Sequence, residues 1–284
     1  VSRVLVTGAG GLLGTRLTGP TSPFRDGVRT VVGFGSGELD ITDAAALDDA
    51  VDRHDVVINC AAYTAVDDAE THGDRAFAVN ALGAGLLART CAGKRARLVH
   101  LSTGYVFDGT APDPYETTSP TAPVNVYGRS KLAGEQAVRD ELPGALVVRT
   151  MWLHAGPTAG FPAVLLRECR QGNTVAVVAD QIASPTSVGD LVSALADLVA
   201  HPDPPVLTHA TSTGAVSKYE FARAVAATAG LDADLVRPCR TADARTGADR
   251  PLNAVLSDSS WTACGLTPLP HWRDGLRRAG AAEA

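Results

Sequence analysis

Short apolar runs punctuate the first half of the chain, separated by stretches in which apolar residues recur at helical spacing. Val4-Leu5-Val6 reads as a buried parallel strand, and glycines follow it before Leu12, Leu13 and Leu17. Residues 30–34 predict the next strand and residues 44–50 a short helix. Residues 55–60 predict another buried strand, residues 76–91 a helix throughout, and residues 97–102 a further strand. A long helix is expected over 126–142 and a strand over 145–149.

Strands alternating with helices in this way predict an α/β fold, a Rossmann-like doubly wound parallel sheet. Beyond residue 150 the rhythm changes. Pro and Gly become frequent, with helices expected at 188–200 and 217–229 and strands at 174–178 and 207–210. The division that follows is a dinucleotide-binding domain over 1–150 and a smaller, mixed C-terminal region over 151–284. That region is mainly substrate-binding, with some elements returning to the sheet.

Composition narrows the function classes. The 284 residues are 45% hydrophobic and 20% charged, ordinary for a globular protein, with a formal net charge of −6. An acidic chain lacks the basic footprint of nonspecific nucleic-acid binding. Five scattered cysteines, without a Cys-x-x-Cys or a Cys/His cluster, read as reduced thiols in the cytoplasm. No apolar run reaches the ~18 residues of a membrane span, and no signal peptide is expected before the first strand.

The first strand runs into Gly8, Gly11 and Gly14, the pattern Gly-x-x-Gly-x-x-Gly. The first glycine permits a tight turn, the second lets backbone approach a pyrophosphate, and the third allows close packing of helix on strand. Phe34 ends the second strand without the Asp or Glu that would bind a ribose 2′-hydroxyl, and Gly35-Ser36-Gly37 follows. A small neutral loop favours NADPH, with NADH still possible. Asp40, before a helix, suits either an N-cap or contact with the adenine.

Tyr127 and Lys131 carry the chemistry. Residues four apart share one helix face, and only three lysines and five tyrosines occur in the chain. A nearby ammonium favours the phenolate and draws the pKa of a Tyr towards neutral, where acid–base work is effective. Ser102 and Thr103 both offer a hydroxyl at the carboxyl end of the preceding strand. Together these groups suit hydride transfer to a carbonyl, with Tyr127 supplying the proton.

The chain resembles the extended short-chain dehydrogenase/reductases, and within them the dTDP-4-dehydrorhamnose reductase family. The resemblance rests on Leu39-Asp40-Ile41-Thr42-Asp43, Asn59-Cys60-Ala61-Ala62-Tyr63-Thr64-Ala65-Val66-Asp67, Ala78-Val79-Asn80 and Leu101-Ser102-Thr103-Gly104-Tyr105-Val106-Phe107-Asp108-Gly109. It continues through Tyr127-Gly128-Arg129-Ser130-Lys131, Arg149-Thr150-Met151-Trp152, Gln181-Ile182-Ala183-Ser184-Pro185-Thr186 and Arg250-Pro251-Leu252-Asn253.

The resemblance implies Tyr127 as proton donor, Thr103 tuning it and binding the substrate oxygen, and Lys131 on the cofactor ribose. It puts Gly11, Leu12 and Leu13 by the pyrophosphate, Asp40 and Ile41 by the adenine, and Ala62, Tyr63 and Thr64 along the cofactor. Trp152 and Tyr105 fall to the sugar, and Arg250 either reaches the diphosphate or forms an ion pair. Gly104 stands where the family has Asp, which removes a carboxylate and is expected to enlarge the site. Some relatives bridge a dimer through magnesium and glutamates; no full set is present, so no metal is expected. The implied activity is NADPH-dependent 4-ketoreduction of a dTDP-linked 6-deoxyhexose by a monomer or homodimer. A sugar dehydratase or epimerase, or a non-catalytic dinucleotide-binding regulatory subunit, is the alternative.

Overall fold

Parallel strands cannot be joined by tight turns, and the amphipathic stretches between the apolar runs provide the crossovers. The computed structural model describes residues 2–27, 29–52, 54–244 and 246–281. Its main sheet has six strands: β1 (Ser2–Thr7), β2 (Arg29–Phe34), β3 (Val56–Asn59), β4 (Arg97–Thr103), β5 (Leu146–Thr150) and β6 (Leu207–His209). All pair in parallel, in the order β6-β5-β4-β3-β1-β2. β6 comes from the C-terminal half and returns to the sheet beside β5.

Successive strand residues point to opposite faces, so each strand feeds two cores. Val4, Val6, Ile58, Val99 and Val148 meet α1 (Leu12–Thr18) and α6 (Val188–Ala200) through Leu13, Leu17, Leu191 and Leu195. Leu5, Val57, Leu98 and Val147 face the other way. There they meet Leu47 of α2 (Ala44–Val51), Leu87 and Cys91 of α3 (Gly73–Lys94), and Val138 of α4 (Val126–Glu141).

By length and composition α3 could cross a membrane. Here it is a core helix, with Ala76, Ala84, Leu87, Ala88 and Cys91 buried and Arg89 paired with Glu141 of α4. It is not α-helical throughout, because Ala78–Gly83 forms a π-helical segment. α4 packs against that segment so closely that a Cβ on Gly134 would lie 2.0 Å from the Asn80 carbonyl oxygen.

Past β5, α5 (Gly160–Arg170) and α7 (Lys218–Thr228) share a separate core built on Leu165, Leu166, Phe221 and Trp272. The strand expected over 174–178 forms as Val175–Val178 but pairs with Val236–Cys239, apart from the main sheet. The sequence pattern did not mark Val236–Cys239, whose adjacent exposed Arg237 and Pro238 lack a strand's alternation.

Candidate active site

Ligands of open parallel sheets bind outside the carboxyl ends of the strands, where the strand order reverses. Here β1 lies between β2 and β3, and the carboxyl ends of β1, β3, β4 and β5 open into a cleft of about 980 Å³. Gly8, Gly11, Leu12, Leu13 and Gly14 line one end, with Asp40 and Ile41 beside them. Ala62, Tyr63 and Thr64 form a wall, and Thr103, Tyr127, Lys131 and Trp152 lie towards the other end.

The glycine loop is shaped by contact. Gly8 has φ +67°, and a Cβ there would lie 2.6 Å from the Ala61 nitrogen, so β1 can turn only against the end of β3. A Cβ on Gly14 would lie 2.3 Å from the Gly8 oxygen, so this glycine packs on the loop itself rather than on a strand. Gly11 begins α1 without a side-chain cap, and the first-turn residues Leu12 and Leu13 line the cleft. Free N–H groups there suit a phosphate.

Two expectations near the adenine end change. Asp43, not Asp40, caps α2, accepting from the N–H groups of Ala45 and Ala46. Asp40 instead accepts from the Thr42 N–H and hydroxyl, which holds its carboxyl below the usual range. The loop after β2 is not neutral in its surroundings, because the Glu38 carboxylate folds back to accept from the Gly35 N–H at 2.8 Å. Periodicity could not place that charge, which lies four residues past the end of the strand.

Asn80, on the π-helical segment, holds the 62–64 wall. Its Oδ1 accepts from the Tyr63 N–H at 2.8 Å, and its Nδ2 donates to the Tyr63 carbonyl at 3.0 Å and to Ser130 Oγ at 2.9 Å. In the sequence, Asn80 stands out only as part of the Ala78-Val79-Asn80 motif. Asn80→Ala is expected to cost about 2 kcal/mol of stability for the lost bonds. The Tyr63 amide should lose its hydrogen-exchange protection, which reports on that position alone.

At the chemical end the hydroxyl ambiguity resolves. Ser102 Oγ donates to Glu135 at 2.5 Å and is committed there. Thr103, the last residue of β4, lines the cleft with Tyr127, and its Oγ1 accepts from the Tyr105 N–H at 3.2 Å. Tyr127 does not carry the lowered pKa expected of it. Burial of the phenol pushes it up to about 12, against the favourable hydrogen bond from Thr103. Lys131 does not offset this, because its ammonium is held by the Leu101 carbonyl at 2.7 Å. Burial in turn pulls Lys131 down to about 8, with Glu135 opposing.

Of the residues assigned to substrate, Trp152 lines the cleft, in a left-handed backbone conformation at φ +43° that is costly for a bulky residue. Tyr105 packs edge-on to Tyr127, ring centroids 5.8 Å apart, behind the lining residues. Gly104 does not widen the site. The space a side chain would take is filled by Met151 Sδ and Leu256, 3.2 and 3.3 Å from the position of a Cβ. Arg250 forms the ion pair: its two terminal nitrogens donate to both Asp67 oxygens at 2.6 and 2.7 Å. That pairing drives Asp67 down to about 2. Among the described lining residues, Arg75 and Lys131 are the cations, and Arg75 lies over the Tyr63 ring.

Residues 2–283 match the family model described as RmlD substrate binding domain. A dTDP-4-dehydrorhamnose reductase of Mycobacterium tuberculosis is 47% identical, the match covering 99% of this chain and 93% of that protein. A dTDP-4-keto-6-deoxy-D-glucose reductase of Streptomyces niveus is 41% identical over 98% of this chain and 96% of its own length. The crystal structure of a dTDP-4-dehydrorhamnose reductase from Bacillus anthracis, in complex with NADP, superimposes with a TM-score of 0.93 at 35% identity, covering 100% of this chain and 99% of that one.

Proposed function

The chain belongs to the dTDP-4-dehydrorhamnose reductase family, and from that membership we propose that it reduces the 4-keto group of a dTDP-linked 6-deoxyhexose with NADPH. The product is dTDP-L-rhamnose or a related deoxysugar. The observation that carries this reading is the meeting of Thr103, Tyr127 and Lys131 in one cleft with the glycine loop. Residues 1–150 then serve mainly the dinucleotide and 151–284 mainly the sugar. Five free thiols accord with a cytoplasmic location.

The residues of the cleft fit a dinucleotide: uncapped first-turn amides at one end, the 62–64 wall along the middle, and Lys131 beyond it. When bound, the reduced nicotinamide supplies a hydride to the carbonyl carbon. Tyr127 supplies the proton to the carbonyl oxygen. Its raised pKa is an advantage in this direction, because the phenol remains protonated at neutral pH and an alkoxide is the stronger base. Thr103 hydrogen-bonds the phenolate that results. Lys131, its ammonium steadied by the Leu101 carbonyl, holds the ribose. The Trp152 indole offers an apolar face to the deoxysugar.

A panel of dTDP-4-keto-6-deoxy and 2,6-dideoxy sugars with NADPH or NADH, with product configuration read by NMR, tests the substrate. Turnover of none of them would overturn the reading. Cofactor choice has its own test. The Glu38 carboxylate stands near the tip of β2, where a 2′-phosphate would meet it. Glu38→Gln is expected to tighten NADPH several-fold, by removing a like charge worth about 1 kcal/mol, and to leave NADH unchanged. Fluorescence titration with each cofactor measures this.

Lys131 must be charged to hold the ribose. Its folded pKa is about 8, so the charged form dominates below that value and kcat/KM is expected to fall as pH rises through about 8.

A further inference from the structure

Below the cleft lies a buried ionic group that the reaction described above does not use. Glu135 sits on α4 four residues beyond Lys131, which is four beyond Tyr127, so the three share one face of the helix. Glu135 is fully buried and Arg149, on β5, is 2% exposed. Arg149 donates through Nε to Glu135 Oε1 at 2.9 Å and through Nη2 to Oε2 at 2.7 Å. Ser102 on β4 donates to Oε1 at 2.5 Å. The carboxylate is therefore fixed from two strands.

A buried ion pair of this kind contributes little net stability against an apolar replacement. Its placement under the active-site cation is what invites a role. We propose that Glu135 is a supporting residue for Lys131: its carboxylate, clamped by Arg149 and Ser102 one helical turn beyond Lys131, is the fixed counter-charge of the Lys131 ammonium.

The surroundings of Lys131 leave Glu135 as the anion that can do this. From β4, His100 presents a buried ring whose protonation is suppressed by burial and by Lys131 itself. At the end of β3, burial pushes the Cys60 thiol up to about 12, so it stays neutral. On α4, Tyr127 also stays neutral. From β5, Arg149 is a second cation competing for the same carboxylate. The Leu101 carbonyl, at 2.7 Å, fixes the ammonium but carries no net charge. Among the described groups acting on Lys131, Glu135 is the carboxylate that favours the charged form, ahead of the Cys60 thiol.

The inference rests on the reading of Lys131 as the ribose-holding cation, but its test needs neither substrate nor cofactor. The chain has only three lysines, Lys94, Lys131 and Lys218. Protein labelled with 13C and 15N at lysine therefore gives three side-chain signals, and Lys131→Met identifies the one of interest. Glu135→Gln/Arg149→Met removes both charges and leaves no buried guanidinium unpaired. In it the Lys131 midpoint is expected to fall by about one pH unit or more. In Arg149→Met alone, where the carboxylate remains and its competitor is gone, the midpoint should hold or rise. Glu135→Asp should restore most of the wild-type value. The Lys94 and Lys218 signals, unmoved, verify the fold. An unchanged Lys131 midpoint in the double variant, or an equal fall in Arg149→Met alone, overturns the assignment. Loss of turnover in wild type with an intact Lys131 shift would count against the proposed reaction instead.

Discussion

Replacing Tyr127 by Phe is expected to lower kcat by about 10²–10⁴-fold while leaving NADPH binding nearly unchanged. The variant removes one hydroxyl from a ring that already packs against Tyr105, so the fold has little reason to change. The hydroxyl lines the same cleft as Thr103 and is the acidic group there. Thr103→Val should share part of the loss, because the phenolate formed on proton transfer would lose its donor. A single-turnover measurement separates the effects: the chemical step slows in both variants, and cofactor affinity does not. Near wild-type turnover by Tyr127→Phe would place the proton donor elsewhere.

Acid is expected to destabilise this fold well before its carboxylates titrate. His154 and His209 are each 1% exposed, and burial drives both down to about 4. His100, fully buried against Asn59, is lowered well below its usual value. In the unfolded chain these rings take a proton near pH ~6.5. Between about 6.5 and 4 the unfolded state therefore binds more protons than the folded one, and stability falls as pH falls. It is complete above about 6.5 and stops falling below about 4 on this account alone. Each of the first two rings contributes on the order of 3 kcal/mol, together comparable with the whole stability of a domain. The Asp67–Arg250 pair acts in a different window, lost only as pH falls from 3.8 towards about 2. Urea midpoints measured across pH 7 to 4 should shift steeply in wild type and less in His154→Leu. An equal slope in both would show that His154 is not the cause.

Much of the fold was legible because parallel strands buried on both faces are continuous apolar runs, as in β3 with Val56, Val57 and Ile58. The glycine loop and the Tyr127–Lys131 spacing were legible for the same kind of reason, since each is a local pattern. What escaped depended on distant parts of the chain. The π-helical segment at Ala78–Gly83 is pressed upon by Gly134, a residue of another helix. The pKa of Tyr127 follows from enclosure, not from the lysine four residues on. Asp67 and Arg250 meet across 183 residues, so the choice between a diphosphate contact and an ion pair for Arg250 stayed open until its partner was in view. Gly104 invited the inference of a larger pocket, but Met151 and Leu256 occupy the space. Glu135 carried a signal that could have been followed: it repeats the four-residue step from Tyr127 through Lys131.

The reaction is tested most directly by following the label from deuterated NADPH. With a dTDP-4-keto-6-deoxyhexose and wild-type protein, one deuterium should appear at C4 of the sugar for each cofactor oxidised, and almost none should appear with Tyr127→Phe. Binding of NADPH without transfer of deuterium to C4, or transfer that is equally fast without the Tyr127 hydroxyl, would contradict the assignment of this cleft as a 4-ketoreductase site.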